Sequence, residues 1–198
     1  MHPEKADLEH LDEMLQLIRD NQSRCVCVGE VGLDYSPHVI GPKGQEADLK
    51  KGIQRRVLTA QAELALELSL PVNCHSRAAG HHTVELLQGL GVKKALLHAF
   101  DGKPVYAEAG AKAGYKFSVP PNVARSPGLQ KLVQRLPLSS LVLETDCPAL
   151  APVQGEMNVP ANLTVSCEWI AKLKGVHEKD VVAATTQNAK ELFPAMQW

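Results

Sequence analysis

Five short apolar runs alternate with amphipathic stretches along the chain. Residues 5–21 carry Leu8, Leu11, Leu15 and Ile18 at three- and four-residue spacing, the stripe of a helix with one face against a core. The run CVCVGEVG follows; nearly continuous apolar character is what a parallel strand covered on both faces requires. After a loop with Pro37, Gly41, Pro42 and Gly44, the spacing of Leu49, Ile53, Val57, Ala60, Leu64 and Leu68 predicts a long helix over 45–68. The run LPVNC is a second strand, and residues 83–90 a short helix stopped by Gly91. KALLH is a third strand, followed by a helix that Pro104 opens and Gly114 ends. YKFSV is the fourth. Ser126 and Pro127 form an N-cap and first-turn pair for a helix reaching residue 136. SLVLETD is the fifth strand, and helices over 161–173 and 178–192 close the chain. Strands alternating with helices predict an α/β fold with a parallel sheet.

A chain of 198 residues is long enough for one domain with a substantial core, and no linker or repeat divides it, so 1–198 is read as a single domain. The formal net charge of −1 excludes polyanion binding by bulk charge. Lys50, Lys51, Arg55 and Arg56 on the long helix read as a solvated face rather than a phosphate rail. Five cysteines without a CxxC pair fit a reducing compartment, and Cys25 and Cys27 read as packing residues. No apolar stretch approaches the ~18 residues that span a bilayer, and the polar N-terminus lacks a secretory h-region. An intracellular protein, cytoplasmic or nuclear, is therefore expected.

The chemistry lies where the strands stop. Glu30, His75, His98 and Asp146 are each read as sitting one residue past the end of a short apolar run. A parallel β/α barrel assembles its active site from the carboxyl ends of several strands, so residues far apart in sequence can meet there. A lone histidine at a strand end is as readily a hydrogen-bonded core residue as a ligand, and Asp146 alone could cap a loop. Glu30 is harder to dismiss, because a carboxylate beside an apolar strand costs several kcal/mol unless paired or metal-bound. Two carboxylates and two imidazoles at one rim suit a divalent ion of the Zn, Mn or Mg type. Cys147 beside Asp146 is no nucleophile, since no nearby histidine activates it and its surroundings are acidic. His10, His38 and His177 read as surface residues.

The segments GEVGLDY (29–35), NCHSR (73–77), LLHAFDG (96–102), LETDCP (143–148) and TTQNAKELFP (185–194) resemble, in order, the signatures of TatD-type metal-dependent deoxyribonucleases. HSRAAG and HAFDG are most similar to the third animal TatD-domain paralogue. The resemblance covers essentially the whole chain and implies a TIM-barrel, (β/α)8, fold with a binuclear site for Mg, Mn or Zn. It also implies DNA phosphodiester hydrolysis, as a 3′-exonuclease and in some members at abasic sites. Glu30 then matches the carboxylate bridging two metals, His75 and His98 the imidazoles of one, and Asp146 a ligand and proton acceptor at the other. Arg77 and His2 are implied substrate contacts, Glu144 a support for a ligand or loop, and Asp34 a brace for the turn after Glu30.

Two departures stand out. The family's first strand ends in a His-x-His pair, absent from this sequence, where His81 and His82 are adjacent. Met1-His2-Pro3 resembles the segment after the family's third strand, so about five of eight strands are expected and the chain reads as N-terminally shortened, with weak or no activity. Val159 also replaces the usual acid of an N-E-P loop. Two alternatives remain: a barrel hydrolase of a small ester or amide, disfavoured because no lysine ends a strand, and a non-catalytic remnant. The sequence leaves oligomeric state open.

Overall fold

The structure, a computed structural model, describes residues 1–196; Gln197 and Trp198, inside the expected 1–198 span, lie outside the described residues. Five parallel strands pair in sequence order: β1 (Val28–Gly32), β2 (Val72–His75), β3 (Ala95–Leu97), β4 (Lys116–Val119) and β5 (Leu141–Leu143). Between and around them run α1 (Leu11–Asp20), α2 (Pro37–Ile40), α3 (Gln45–Glu67), α4 (Gly80–Gly89), α5 (Pro104–Lys112), α6 (Pro127–Arg135), α7 (Leu163–Lys174) and α8 (Glu178–Leu192). This is the expected β/α alternation. Among the described residues the sheet is an open arc of five strands, and a closed barrel of this type takes eight.

Its core runs from Val28 through Leu97, Phe117 and Leu141 to Ile170 and Val181, so every strand and the last two helices contribute to one apolar cluster. Phe100 stands edge-on to Phe117 at 5.4 Å. A Cβ on Gly80 or on Gly102 would lie 2.7 Å from the Phe100 ring, which is why that aromatic is flanked by glycines.

Three elements differ from the sequence reading, each for a local reason. The first helix begins at Leu11 rather than residue 5, because Asp7 accepts the His10 N–H at 2.8 Å and caps the chain there, and residues 3–5 form a separate 3-10 turn. No α1 residue is fully buried; its apolar stripe is only half-covered. Cys25 and Cys27 precede the paired part of β1, which starts at Val28. The inward face of α3 is rotated from the predicted stripe. Leu49 is 64% exposed, whereas Gln54 and Gln61 point inward at 3% and 0% exposure.

Gln54 is inside because it completes a loop's backbone. Its Oε1 accepts the Asp34 N–H at 2.9 Å and its Nε2 donates to the Asp34 carbonyl at 3.0 Å. Replacing it with leucine strands a buried donor and acceptor, at a cost of roughly 1–3 kcal/mol each. Gln54→Leu is expected to lower the urea midpoint accordingly, whereas Leu49→Gln on the exposed face should leave it within error; equal effects would contradict the observed helix rotation.

Candidate active site

Glycines let β1 approach β2 closely enough to bring Glu30 beside His75. A Cβ on Gly29 would meet the Asn73 Cβ at 2.8 Å, and one on Gly32 (φ +139°) would meet the His75 carbonyl oxygen at 2.1 Å. Glu30, expected just past its strand, is instead the middle residue of β1, and His75 is the last of β2, because pairing with β2 continues to Gly32; His98 follows β3 directly as expected. Asp146 lies three residues past β5. Ala78, Ala99 and Asp146 hold positive φ angles of 53°, 41° and 56°, an uncommon backbone for non-glycine residues, and all three lie just beyond strand ends at this rim.

Three imidazoles converge on one carboxylate oxygen. Glu30 Oε1 lies 3.0 Å from His75 Nδ1, 3.0 Å from His98 Nε2 and 3.3 Å from His2 Nε2. The far nitrogens of two rings are held by other acids: His75 Nε2 by Asp34 Oδ2 at 2.9 Å and His98 Nδ1 by Glu144 Oε2 at 3.2 Å. Those outer carboxylates accept N–H, which leaves the lone pair of each neutral ring facing Glu30. An acceptor facing an acceptor at 3.0 Å requires a positive charge between them, either a proton or a metal ion. Donor atoms bound about 2.0–2.2 Å from one ion stand roughly 2.9–3.4 Å apart, and the Glu30 pairs fall in that range. Each pair taken singly is compatible with a shared divalent cation; the ligand atoms of His2, Glu30 and His75 all lie within 4.8 Å of one another, and His98 meets Glu30 Oε1 at 3.0 Å.

His2 differs from the other two. Its Nδ1 accepts the Glu4 backbone N–H at 3.2 Å, so the ring proton belongs on Nε2, the nitrogen that points to Glu30. Although ligand atoms of His2, Glu30 and His75 all lie within 4.8 Å of one another, His2 in this tautomer is a donor rather than a ligand. A second grouping, Glu4, Asp34 and His38, is already engaged: Asp34 accepts from both the Ser36 N–H and hydroxyl and from His75.

These side chains line a cavity of about 590 Å³ with Arg77, Asp101 and Asp146 on its wall. Hydrogen bonds from His75 and His98 hold the Glu30 carboxyl far below the ordinary range. Burial opposes charge on His98, but Glu144 and Glu30 outweigh it and push the imidazolium up to about 10. Burial raises the Asp146 carboxyl, and Glu144 and Glu30 raise it further against the pull of His98 and Arg77. Arg77 Nη1 stands 3.6 Å from Asp34 and 3.9 Å from Glu4, a loose pairing on a side chain 48% exposed.

The outer residues were only partly legible. Glu144 does what was expected, holding His98 and also accepting the Ala99 N–H at 2.9 Å. Asp34 is more than a turn brace: it is fully buried and orients His75. Asn158 was missed as a structural anchor. Its Nδ2 donates to the Thr145 and Ala149 carbonyls at 2.6 and 2.7 Å, fixing the loop that carries Asp146. Val159, beside it, is 43% exposed and supplies no polar group there.

Residues 1–194 match the family model described as TatD related DNase. The chain belongs to the TatD related DNase family. It is 48% identical over 190 residues to the human protein named deoxyribonuclease TATDN3, covering 96% of this chain and 68% of that one. It is 29% identical to the 3′-5′ ssDNA/RNA exonuclease TatD of Erwinia amylovora, covering 98% and 76%. The crystal structure of the TatD homologue YJJV from Escherichia coli superimposes with a TM-score of 0.84 at 27% identity, covering 98% of this chain and 74% of that one. The chain thus spans about two thirds to three quarters of these TatD relatives, and the expected family and its resemblance to the third animal paralogue are borne out.

Two outcomes follow for the TatD cluster. In chelator, the depressed Glu30 contributes stability above its unfolded value near 4.5, lost as pH falls further. The raised His98 contributes stability present below 6.5 and lost as pH rises toward about 10. Asp146 works the other way, since ionising a raised carboxyl above 3.8 costs stability. The urea midpoint of the metal-free protein is therefore expected to fall between pH 6.5 and 10, and a divalent ion, which needs unprotonated imidazole, should oppose that fall. A flat alkaline profile without metal would contradict the assignment. Separately, Glu144→Gln should weaken divalent-ion affinity about 10–100-fold, measured by calorimetry.

Proposed function

We propose that this chain is a metal-dependent phosphodiester hydrolase acting on DNA, with residues 1–198 forming one hydrolase domain. The observation that carries the reading is the convergence of His75 and His98 on Glu30 Oε1, each at 3.0 Å and each backed by a second carboxylate. That is a ligand set with its orienting partners in place. Glu30, His75, His98 and Asp146 would hold the divalent ions of the complete site, Mg, Mn or Zn, with Glu30 as the carboxylate shared between them and Asp146 also as proton acceptor. Bound divalent ions supply Lewis acidity, acidifying water and offsetting charge on the phosphoryl oxygens.

The protein's own groups do the rest. Asp146, whose buried carboxyl is more basic than an exposed one, takes the proton of the attacking water. Arg77, half-exposed on the cavity wall, offers planar N–H donors to a non-bridging phosphate oxygen. His2, whose Nε2–H stands 3.3 Å from Glu30 Oε1 with Nδ1 fixed by the Glu4 N–H, becomes a substrate contact when that hydrogen bond is exchanged for a phosphate oxygen. The name of the Erwinia relative supports a 3′-exonuclease acting on single strands, and the family resemblance extends this to abasic sites. Among the described residues no helix is long and apolar enough to cross a membrane, and five free thiols fit a reducing cytoplasm or nucleus.

Release of nucleotides from a single-stranded oligonucleotide with added Mg, Mn or Zn tests the reading. Turnover is expected to be slow, because the donors gathered on Glu30 serve one ion firmly, and calorimetry should count one tight ion. Asp146→Asn and Glu30→Gln are each expected to lower the rate at least 100-fold. Ion binding without any cleavage, or full cleavage by Asp146→Asn, would overturn it.

A further inference from the structure

Four rings outside the carboxylate–imidazole cluster form a continuous ladder across three elements. Tyr35 comes from the loop after β1, His82 and His81 from the first turn of α4, and Tyr106 from the first turn of α5. Centroids are 5.4 Å apart for Tyr35 and His82, 3.7 Å for His82 and His81, and 5.1 Å for His81 and Tyr106. All four are half-buried, and successive rings are tilted by 56°, 38° and 33°. Val84 and Leu87 of α4 and Ala107 of α5 are buried in the core, and Tyr35 and Tyr106 pack partly against it.

Its position ties it to the site. Both helices start at the carboxyl ends of β2 and β3. Gly80, directly before His81, packs on the Asp101 carbonyl, where a Cβ would stand at 2.5 Å. Arg77, Asp101 and Gly102 line the same cavity as Glu30, and Tyr35 follows Asp34, which orients His75. At the Tyr35 end, Lys51 Nζ lies 5.8 Å from the ring centroid, and Arg55 and Lys51 bear electrostatically on both Tyr35 and His82. Flat rings accept nucleobases by stacking whatever their sequence, and cations beside them accept the intervening phosphates. Bases inside a duplex are already stacked on their neighbours, so such a surface selects unpaired strands.

We propose that the Tyr35–His82–His81–Tyr106 ladder is a stacking platform for the bases of a single-stranded DNA segment leading away from the Glu30 cluster. This rests on the phosphodiesterase reading above, and it names the part of the substrate that the platform holds. A hexanucleotide carrying 2-aminopurine, titrated with the full chain in chelator to prevent cleavage, is expected to bind with quenching of the base fluorescence. His81→Ala combined with Tyr106→Ala should weaken binding about tenfold and abolish the quenching. Tyr106→Phe, which keeps the ring, should bind as the wild type does. A double variant with an unchanged thermal melt and unchanged binding would overturn the platform, as would a wild-type protein that gives no quenching. If the double variant does not fold, photo-crosslinking of a 5-iodouracil strand to the wild-type chain decides: labels on the ladder support the proposal and labels only elsewhere sink it. Cleavage is scored separately. A chain that cleaves without stacking loses the platform alone, and one that stacks without cleaving loses the hydrolase reading alone.

Discussion

One carboxylate oxygen sets the terms for the rest of the molecule. Glu30 Oε1 receives two imidazole nitrogens whose opposite nitrogens are already committed to Asp34 and Glu144. Neither neutral ring has a proton left for Glu30, so the arrangement is repulsive until a cation enters it. In the protein without metal that cation is a proton, and His98 is accordingly pushed up to about 10. A divalent ion replaces the proton with a stronger charge on the same lone pairs. Affinity is thus built into a hydrogen-bond pattern in which the outer acids fix the tautomers and the inner acid faces two lone pairs.

That pattern depends on rigid backbone some distance away. Gln54 on α3 holds both backbone groups of Asp34; Asp34 holds His75; His75 faces Glu30. On the other side Glu144 holds both His98 and the backbone beyond it, and Asn158 pins the loop of Asp146. Each link is a buried or half-buried polar contact, whose loss leaves a partner unsatisfied in a low-dielectric setting. The helices supply more than a cover for the sheet: α3 reaches the site through one glutamine.

Strand order and helix order were legible because apolar runs, glycine stops and the Ser126–Pro127 start are local signals. The rim positions of His75, His98 and Asp146 were legible because the β/α pattern sends strand ends to one side, whereas Glu30 stands in the middle of β1. What the sequence hid is instructive. Glutamines at 54 and 61 look polar and outward by type, and only the partner at Asp34 reveals why the first of them faces in. Asp34 sits in the GLDY signature, yet its bond to His75 spans 41 positions, beyond any local spacing rule. The tautomer of His2 follows from a single backbone N–H, which periodicity cannot register. Asn158 carries no charge and invited no chemical reading, although the Asp146 loop hangs on it.

On the proposed reading, charge couples metal loading to DNA handling in this fold. The cavity wall presents Glu4, Glu30, Asp101 and Asp146 against Arg77. A phosphodiester entering that space alone meets net negative charge in a recess where interactions are less screened than in bulk water. One dication, displacing the His98 proton, leaves four carboxylates against Arg77 and the ion still slightly negative, and a second would make the recess positive and receptive to phosphate. The rings at Tyr35, His82, His81 and Tyr106, with Lys51 and Arg55 beside them, stand outside the acidic wall. In the proposed platform, bases would be held by contacts that do not require the ion, while the phosphate at the cleft would wait on it. The division follows from where the chain places its charges: cations and flat rings on the first turns and outer helix face, carboxylates on the cavity wall.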